Sequence, residues 1–191
     1  VIERAAVVGR AFWWGAVAEL SPPGVEVGAA LHALVRKELI EPGRPEMRGQ
    51  DAFRFTHILV RDAAYNGMPK LVRAELHQRV ADWLDVNTRD LAGEYEEIVG
   101  YHLEQALGVL LELAPPGDRT ASLADRTAER LGAAGERAFS RGDMPAAVNL
   151  LSRAAALLPH RHPRRLALLP ELAFALVEAA DFDRLVEVAG V

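Results

Sequence analysis

Prolines and glycines cut this chain into pieces of helical length. Ser21-Pro22-Pro23-Gly24, Asn66-Gly67-Met68-Pro69, Ala114-Pro115-Pro116-Gly117, Gly142-Asp143 and Pro159-His160-Arg161-His162-Pro163 all read as breaks. Most segments between them carry apolar residues at three- and four-residue spacing, the period of an amphipathic helix. One stretch departs from that period: Ala52-Phe53-Arg54-Phe55-Thr56 alternates aromatic with polar residues, as a strand does. With Leu39-Ile40-Glu41-Pro42, across a polar Gly/Pro-containing stretch, it predicts a β-hairpin. The expected fold class is mostly α with one small hairpin.

The order of the pieces narrows this further. Ile2, Ala5, Ala6 and Val8 form a helical face that stops at Gly9, a helix terminator, and a second helical run spans 12–20. A third is expected over 27–38, with Ala30, Leu31, Leu34 and Val35 inward. Three helices followed by a hairpin is a winged-helix order. After the hairpin, 57–65 reads as a helix and 70–86 as a longer one with Leu71, Leu76, Val80, Ala81 and Leu84 inward. Beyond it only helical patterns occur, over about 94–113, 123–141, 145–158, 164–179 and 182–189. The division expected is a winged-helix domain with its following helix at 1–86, a linking helical region at 87–122, and repeats at 123–191.

Residues 131–159 fit the 34-residue tetratricopeptide pattern. Gly135 falls where that repeat packs its first helix tightly, Gly142-Asp143 at its turn, Ala147 and Ala154 where its second helix needs small residues, and Pro159 at its close. A looser second copy puts Leu172-Ala173 at the close-packing point and Ala180-Asp181-Phe182 at the turn. Antiparallel helices that are Ala-rich without being true repeats would give a similar pattern, because alanine is also a strong helix former.

Composition restricts the chemistry. There is no cysteine, which removes disulfides, thiolate zinc sites and cysteine nucleophiles and fits a reducing cytosol. The net charge of −5 offers no global field for nucleic acid or anionic lipid. It is unevenly spread: residues 1–86 hold 11 basic and 11 acidic side chains, residues 87–191 hold 11 and 16. No apolar run is long enough for a membrane span, and Val1-Ile2-Glu3-Arg4 lacks a signal-peptide layout. A cytoplasmic setting without a membrane is expected. Val1 opens inside one apolar pattern and Val191 ends inside another, so a longer polypeptide is expected around this chain.

Several strings point to a family. Ala5-Ala6-Val7-Val8-Gly9-Arg10-Ala11-Phe12, Leu34-Val35-Arg36-Lys37-Glu38-Leu39-Ile40 and, above all, Phe53-Arg54-Phe55-Thr56-His57-Ile58-Leu59-Val60-Arg61-Asp62-Ala63-Ala64-Tyr65 carry the likeness, with Arg73-Ala74-Glu75-Leu76-His77 and Tyr101-His102-Leu103-Glu104-Gln105-Ala106 after them. Residues 1–113 resemble the stretch that follows the nucleotide-binding core in STAND-class signalling ATPases, found in bacterial ATPase-coupled transcriptional regulators and ATPase-linked adenylate cyclases. Their order and spacing, rather than any single motif, carry the resemblance.

The resemblance implies a nucleoside-triphosphatase module upstream, then a winged helix, then a helical-repeat sensor or scaffold. No phosphate loop of the form Gly-x-x-x-x-Gly-Lys-Ser/Thr occurs here, so this stretch would be non-catalytic, with ATP or ADP held by the upstream module of the parent ATPase. The partners implied are that module in cis and a protein on the repeats. In related proteins a Met-His-Asp motif presents its histidine to the β-phosphate of ADP. By that likeness His57 is the nucleotide-sensing candidate, with Arg61 and Asp62 framing the same helix start; Thr56 and Ile58 stand where the motif has Met and Asp. A plain helix cap or a polar niche is the other reading of His57. Arg61 and Asp62, adjacent on a helix, are expected to pair elsewhere rather than with each other. Trp13 and Trp14 read as a core aromatic and a partly exposed neighbour, one of which could meet the ATPase module.

Other chemistries find little support. Major-groove reading needs polar and basic residues on the exposed face of the third helix, yet only Arg36 and Lys37 are basic there, both at its end. The wing offsets Arg44, Arg48 and Arg54 with Glu41, Glu46 and Asp51. His57, His77 and His102 are far apart, and His160 and His162 lie beside Arg161, Arg164 and Arg165, so no metal is expected. Glu96 and Glu97 are adjacent and point to different helix faces, which leaves no acid/base dyad. A passive interaction scaffold and a DNA-binding winged helix of a transcriptional regulator stay open as alternatives.

Overall fold

The computed structural model describes residues 1–44, 47, 49–89 and 93–189, the last without its side chain. Arg48 and Glu46 of the expected wing lie outside the described residues. Among those described, ten helices and one three-stranded antiparallel sheet make a mostly α protein. The chain divides into two compact units, Val1–Asn87 and Thr88–Val191.

In the first unit the order is α1 (Ile2–Val8), β1 (Ala11–Trp13), α2 (Trp14–Leu20), α3 (Val27–Arg36), β2 (Ile40–Pro42), β3 (Ala52–Phe55), α4 (Ile58–Asn66) and α5 (Lys70–Asn87). The strands lie β1-β3-β2, so a third strand joins the expected hairpin. Residues 12–20 were expected to be one helix; Phe12 and Trp13 instead belong to β1. The reason is long-range: Phe12 pairs with Phe53 in register, and the Phe55 amide donates to the Arg10 carbonyl at 2.9 Å. A three-residue strand cannot be told from a helix start by periodicity alone. Gly9 makes the change of direction possible, at φ 153 and with a would-be Cβ only 3.2 Å from the Ala11 carbonyl oxygen.

Because side chains alternate across a sheet, Phe12, Phe53, Phe55 and Ile40 share the inner face, with Phe12 5.9 Å from Phe53 and 5.4 Å from Phe55 between ring centroids. Arg54 points outward and pairs across the strands with Glu41 at 2.7 Å, both well exposed. Ala5, Ala6 and Ala16, fully buried, let α1 and α2 pack closely. On α5 the inward residues include Ala74, Leu76, His77, Val80, Trp83 and Leu84. Leu71, expected inward, is 62% exposed, because it sits in the first turn of α5, off the face that α1 and α2 cover.

The second unit holds α6 (Glu96–Leu113), α7 (Asp118–Ser140), α8 (Met144–Ala156), α9 (Pro163–Glu178) and α10 (Phe182–Ala189). The helix expected from 123 starts at Asp118, directly after the Pro-Pro-Gly break, where the Thr120 hydroxyl lies 2.8 Å from both the amide nitrogen and the carbonyl oxygen of Gly117. Small residues set the packing. A Cβ on Gly100 would lie 2.7 Å from Leu131, and one on Gly135 2.7 Å from Leu151, so α6 on α7 and α7 on α8 approach as only glycine allows. Ala147 and Ala154 are fully buried in the same layer. Two ion pairs tie α6 to its neighbours, Arg130–Glu96 at 3.1 Å and Arg153–Glu104 at 2.5 Å.

Candidate functional site

In the first unit one cluster of charged and aromatic groups forms on α4. His57 occupies the N-cap position, with extended backbone (φ −129, ψ 134), but its side chain makes no cap hydrogen bond and is exposed. His57 thus stands at the capping position, with its imidazole making no side-chain cap hydrogen bond. The amides of the first turn of α4 keep their usual attraction for an anion, and the ring beside them is open to solvent. Ile58 and Leu59, next along, are exposed as well.

Arg61 behaves differently. Its Nε donates to the Ala6 carbonyl at 2.9 Å, its guanidinium lies 4.5 Å from the Tyr65 ring centroid, and Nη1 reaches the Asp62 carboxylate at 3.0 Å. The expectation that Arg61 and Asp62 pair elsewhere is therefore wrong. The arginine stem is long enough to bend the fork back to its neighbour once Ala6 and Tyr65 have fixed its direction. Arg61 thus fastens α4 to the last turn of α1. The nearby groups extend the cluster: Arg73 from α5 lies over the same ring at 5.0 Å, and the Tyr65 hydroxyl meets Nε2 of His77 at 2.8 Å. His77 is completely buried.

The structure thus brings together Arg61 and Asp62, of the three residues singled out around this helix, and leaves His57 pointing outward. Tyr65, Arg73 and His77 complete the arrangement without having been singled out. The spacing from Arg61 to Tyr65, one helical turn, was the available sign. Trp13 is buried and stacked on Trp83 at 5.9 Å, whereas Trp14 is 44% exposed. Of that pair, only Trp14 presents a large face to solvent.

In the second unit a groove of about 480 Å³ runs between α7 and α9, lined by Glu129, Gly132, Ala133, Glu136, Arg164 and Leu168 among others. Burial, and then the Glu171 carboxylate, push the Glu136 carboxyl above the usual range. One Glu171 carboxylate oxygen is buried with no hydrogen-bond partner. A more apolar pocket of about 390 Å³ lies among Leu107, Leu111, Thr120, Leu157 and His162, the last 3.1 Å from Asp125. Among the described residues no group of three or more His, Asp or Glu side chains could hold a metal ion, and no helix is long and apolar enough to cross a membrane.

Comparison of the chain with protein-family models, with curated proteins and with solved structures gives no match. The functional reading therefore rests on the residues themselves.

Proposed function

We propose that this chain is a non-catalytic regulatory and interaction segment of a STAND-type signalling ATPase. In this reading the first unit is a winged helix that senses the nucleotide state of an upstream ATPase module. The second is a tetratricopeptide-like array that holds a partner protein. The observation that carries the proposal is the position of His57: an exposed imidazole, unspent on capping, at the start of the helix that follows the wing. Such a donor beside the N-terminus of a helix suits a phosphate oxygen. The helix-strand-helix-helix-strand-strand order with strands arranged β1-β3-β2 supports the winged-helix part. The α7–α8 and α9–α10 hairpins support the array, although their turns, at Asp143 and Asp181, are spaced more widely than a 34-residue period.

Mechanically the segment would act as a two-state switch. ADP contacts through His57 would favour a closed form, and exchange for ATP would release it. Arg61 serves the scaffold in this scheme, because its fork is already spent on Ala6, Asp62 and Tyr65. Trp14 is the candidate contact with the ATPase module, and Trp13 belongs to the core.

The test is the ADP affinity of the whole polypeptide, nucleotide-stripped and measured by calorimetry, wild type against His57→Ala. Loss of about 1–3 kcal/mol, the scale of one hydrogen bond to a charged group, with folding preserved, is the expected result. Tight ADP binding that ignores the substitution would reduce this unit to a spacer. Absence of ADP binding would favour a passive scaffold.

A further inference from the structure

The α6–α7 hairpin is longer than the helix that packs across it. Gly135 of α7 meets Leu151 of α8, so α8, which stops at Ala156, stops near the level of Arg130. From there α7 runs back to Asp118, about 18 Å at 1.5 Å per residue. Gly100 meets Leu131, which carries α6 alongside this extension as far as Leu113. Leu107 and Leu111 of α6 therefore lie beyond the end of α8, and the turn at 157–162 closes only one side of the space. The hollow left there measures about 390 Å³. α6, α7, α8 and that turn all belong to the second unit and have chain on both sides, so unequal helix lengths, and no chain end, make the hollow.

Its walls are leucine and alanine side chains, with one charged corner. The Thr120 hydroxyl is already spent on the two backbone groups of Gly117. The corner is Asp125, half exposed, whose Oδ1 lies 3.1 Å from Nε2 of His162. No lysine or arginine lines the hollow among the described residues. Arg165, close to the turn, gives Nη1 to the Ala155 and Leu158 carbonyls. Asp125 thus keeps Oδ2 for a further donor. Nδ1 of His162 is buried with no hydrogen-bond partner, a polar atom that calls for one.

We infer that this hollow binds a small amphipathic amine, its apolar body seated on Leu107, Leu111 and Leu157 and its ammonium group on Asp125. The volume stands at the small end of the range of about 300–1,000 Å³ that small-molecule sites occupy. Charge selects the amine, because a carboxylate or phosphate head would face Asp125 with no cation to receive it. Lack of backbone partners disfavours a peptide, which would lay an N–H and a C=O per residue on leucine and alanine methyls that cannot pair them. His162 positions the acceptor: by holding Oδ1 it fixes the direction in which Oδ2 is offered.

NMR of the 191-residue chain with methyl-labelled leucine tests this, using 4-phenylbutylamine, 4-phenylbutanol and 4-phenylbutyrate as probes of like shape and different charge. The amine should shift the Leu107, Leu111 and Leu157 methyl signals with a Kd of about 1 mM, the scale for a ligand of this size. It should bind about tenfold or more tightly than the alcohol or the acid, as one hydrogen bond to a charged group allows. Asp125→Asn should bring the amine down to the level of the alcohol. Ala121→Phe, which fills the hollow from an exposed position on α7, should abolish the shifts from all three probes. Both positions are exposed, and unchanged helical circular dichroism would show that the fold is kept. Amine and acid binding alike, or an amine preference that survives Asp125→Asn, overturns the inference. So do amine-induced shifts no larger here than at exposed Leu59 and Leu166, or none at about 10 mM, ten times the expected constant.

Discussion

Phe12 meets Phe53 and Phe55 across some forty residues of the first unit's sequence, whereas Gly100, Gly135 and Ala147 hold helices that follow one another closely in the second. The first unit is thus stabilised by large side chains on a small sheet and is neutral in charge. The second is stabilised by small side chains between successive helices and carries the acidic excess. Different errors should therefore break them. Removing bulk should damage the first, and adding bulk the second.

Phe12→Ala carries the largest expected effect, about 3–5 kcal/mol, because a fully buried ring touching two other rings leaves a cavity behind. All three tryptophans lie in the first unit, so their fluorescence during urea unfolding reads this loss directly. The reciprocal change, Gly135→Val, should destabilise by about 1–3 kcal/mol through overpacking against Leu151, seen in the helical circular dichroism. If Gly135→Val left that signal's midpoint unmoved, the contrast between the two cores would collapse.

The same contrast explains what could be read from residues in advance. Helices defined by proline and glycine breaks, such as α6, α8 and α9, fell near their expected bounds because their signals are local. β1 did not, since three residues become a strand only by pairing with β3, some forty residues away. Leu71 was misplaced because helical period alone does not say which turn the neighbours cover. At the candidate site, His57 was legible as a position but not its freedom from capping. The Arg61–Tyr65–Arg73–His77 cluster was legible only as separate strings, because two helices must pack before the guanidinium groups can flank one ring.

Arg61→Lys sharpens the comparison at the next level of effect. Lysine keeps the charge but has no Nε–H to place on the Ala6 carbonyl and no flat fork to lay over Tyr65. A loss of about 1–2 kcal/mol is expected in the tryptophan-monitored transition. An Arg61 that served as a pure charge sensor would tolerate the change, so full stability in this variant would argue for the sensing role over the fastening one.

The smallest effect concerns the acidic second unit. Glu136 is pushed above the ordinary carboxyl value of 4.5 by burial and by Glu171 beside it, so the folded protein binds that proton more tightly than the unfolded chain. Stability from this group therefore falls as pH rises from the unfolded value through the raised folded one, the reverse of a salt-bridged carboxylate. Glu136→Gln should then raise the urea midpoint at pH 7 and change it little at pH 4, where both states are largely protonated. The side chain is only partly withdrawn from water and keeps much of its surface exposed, so screening limits the gain to about a few tenths of a kcal/mol, and added salt should shrink it further. A loss of stability at pH 7 instead would mean that the Glu136 charge is compensated in the folded protein, and that Arg137 and Arg164 outweigh Glu171 in this groove.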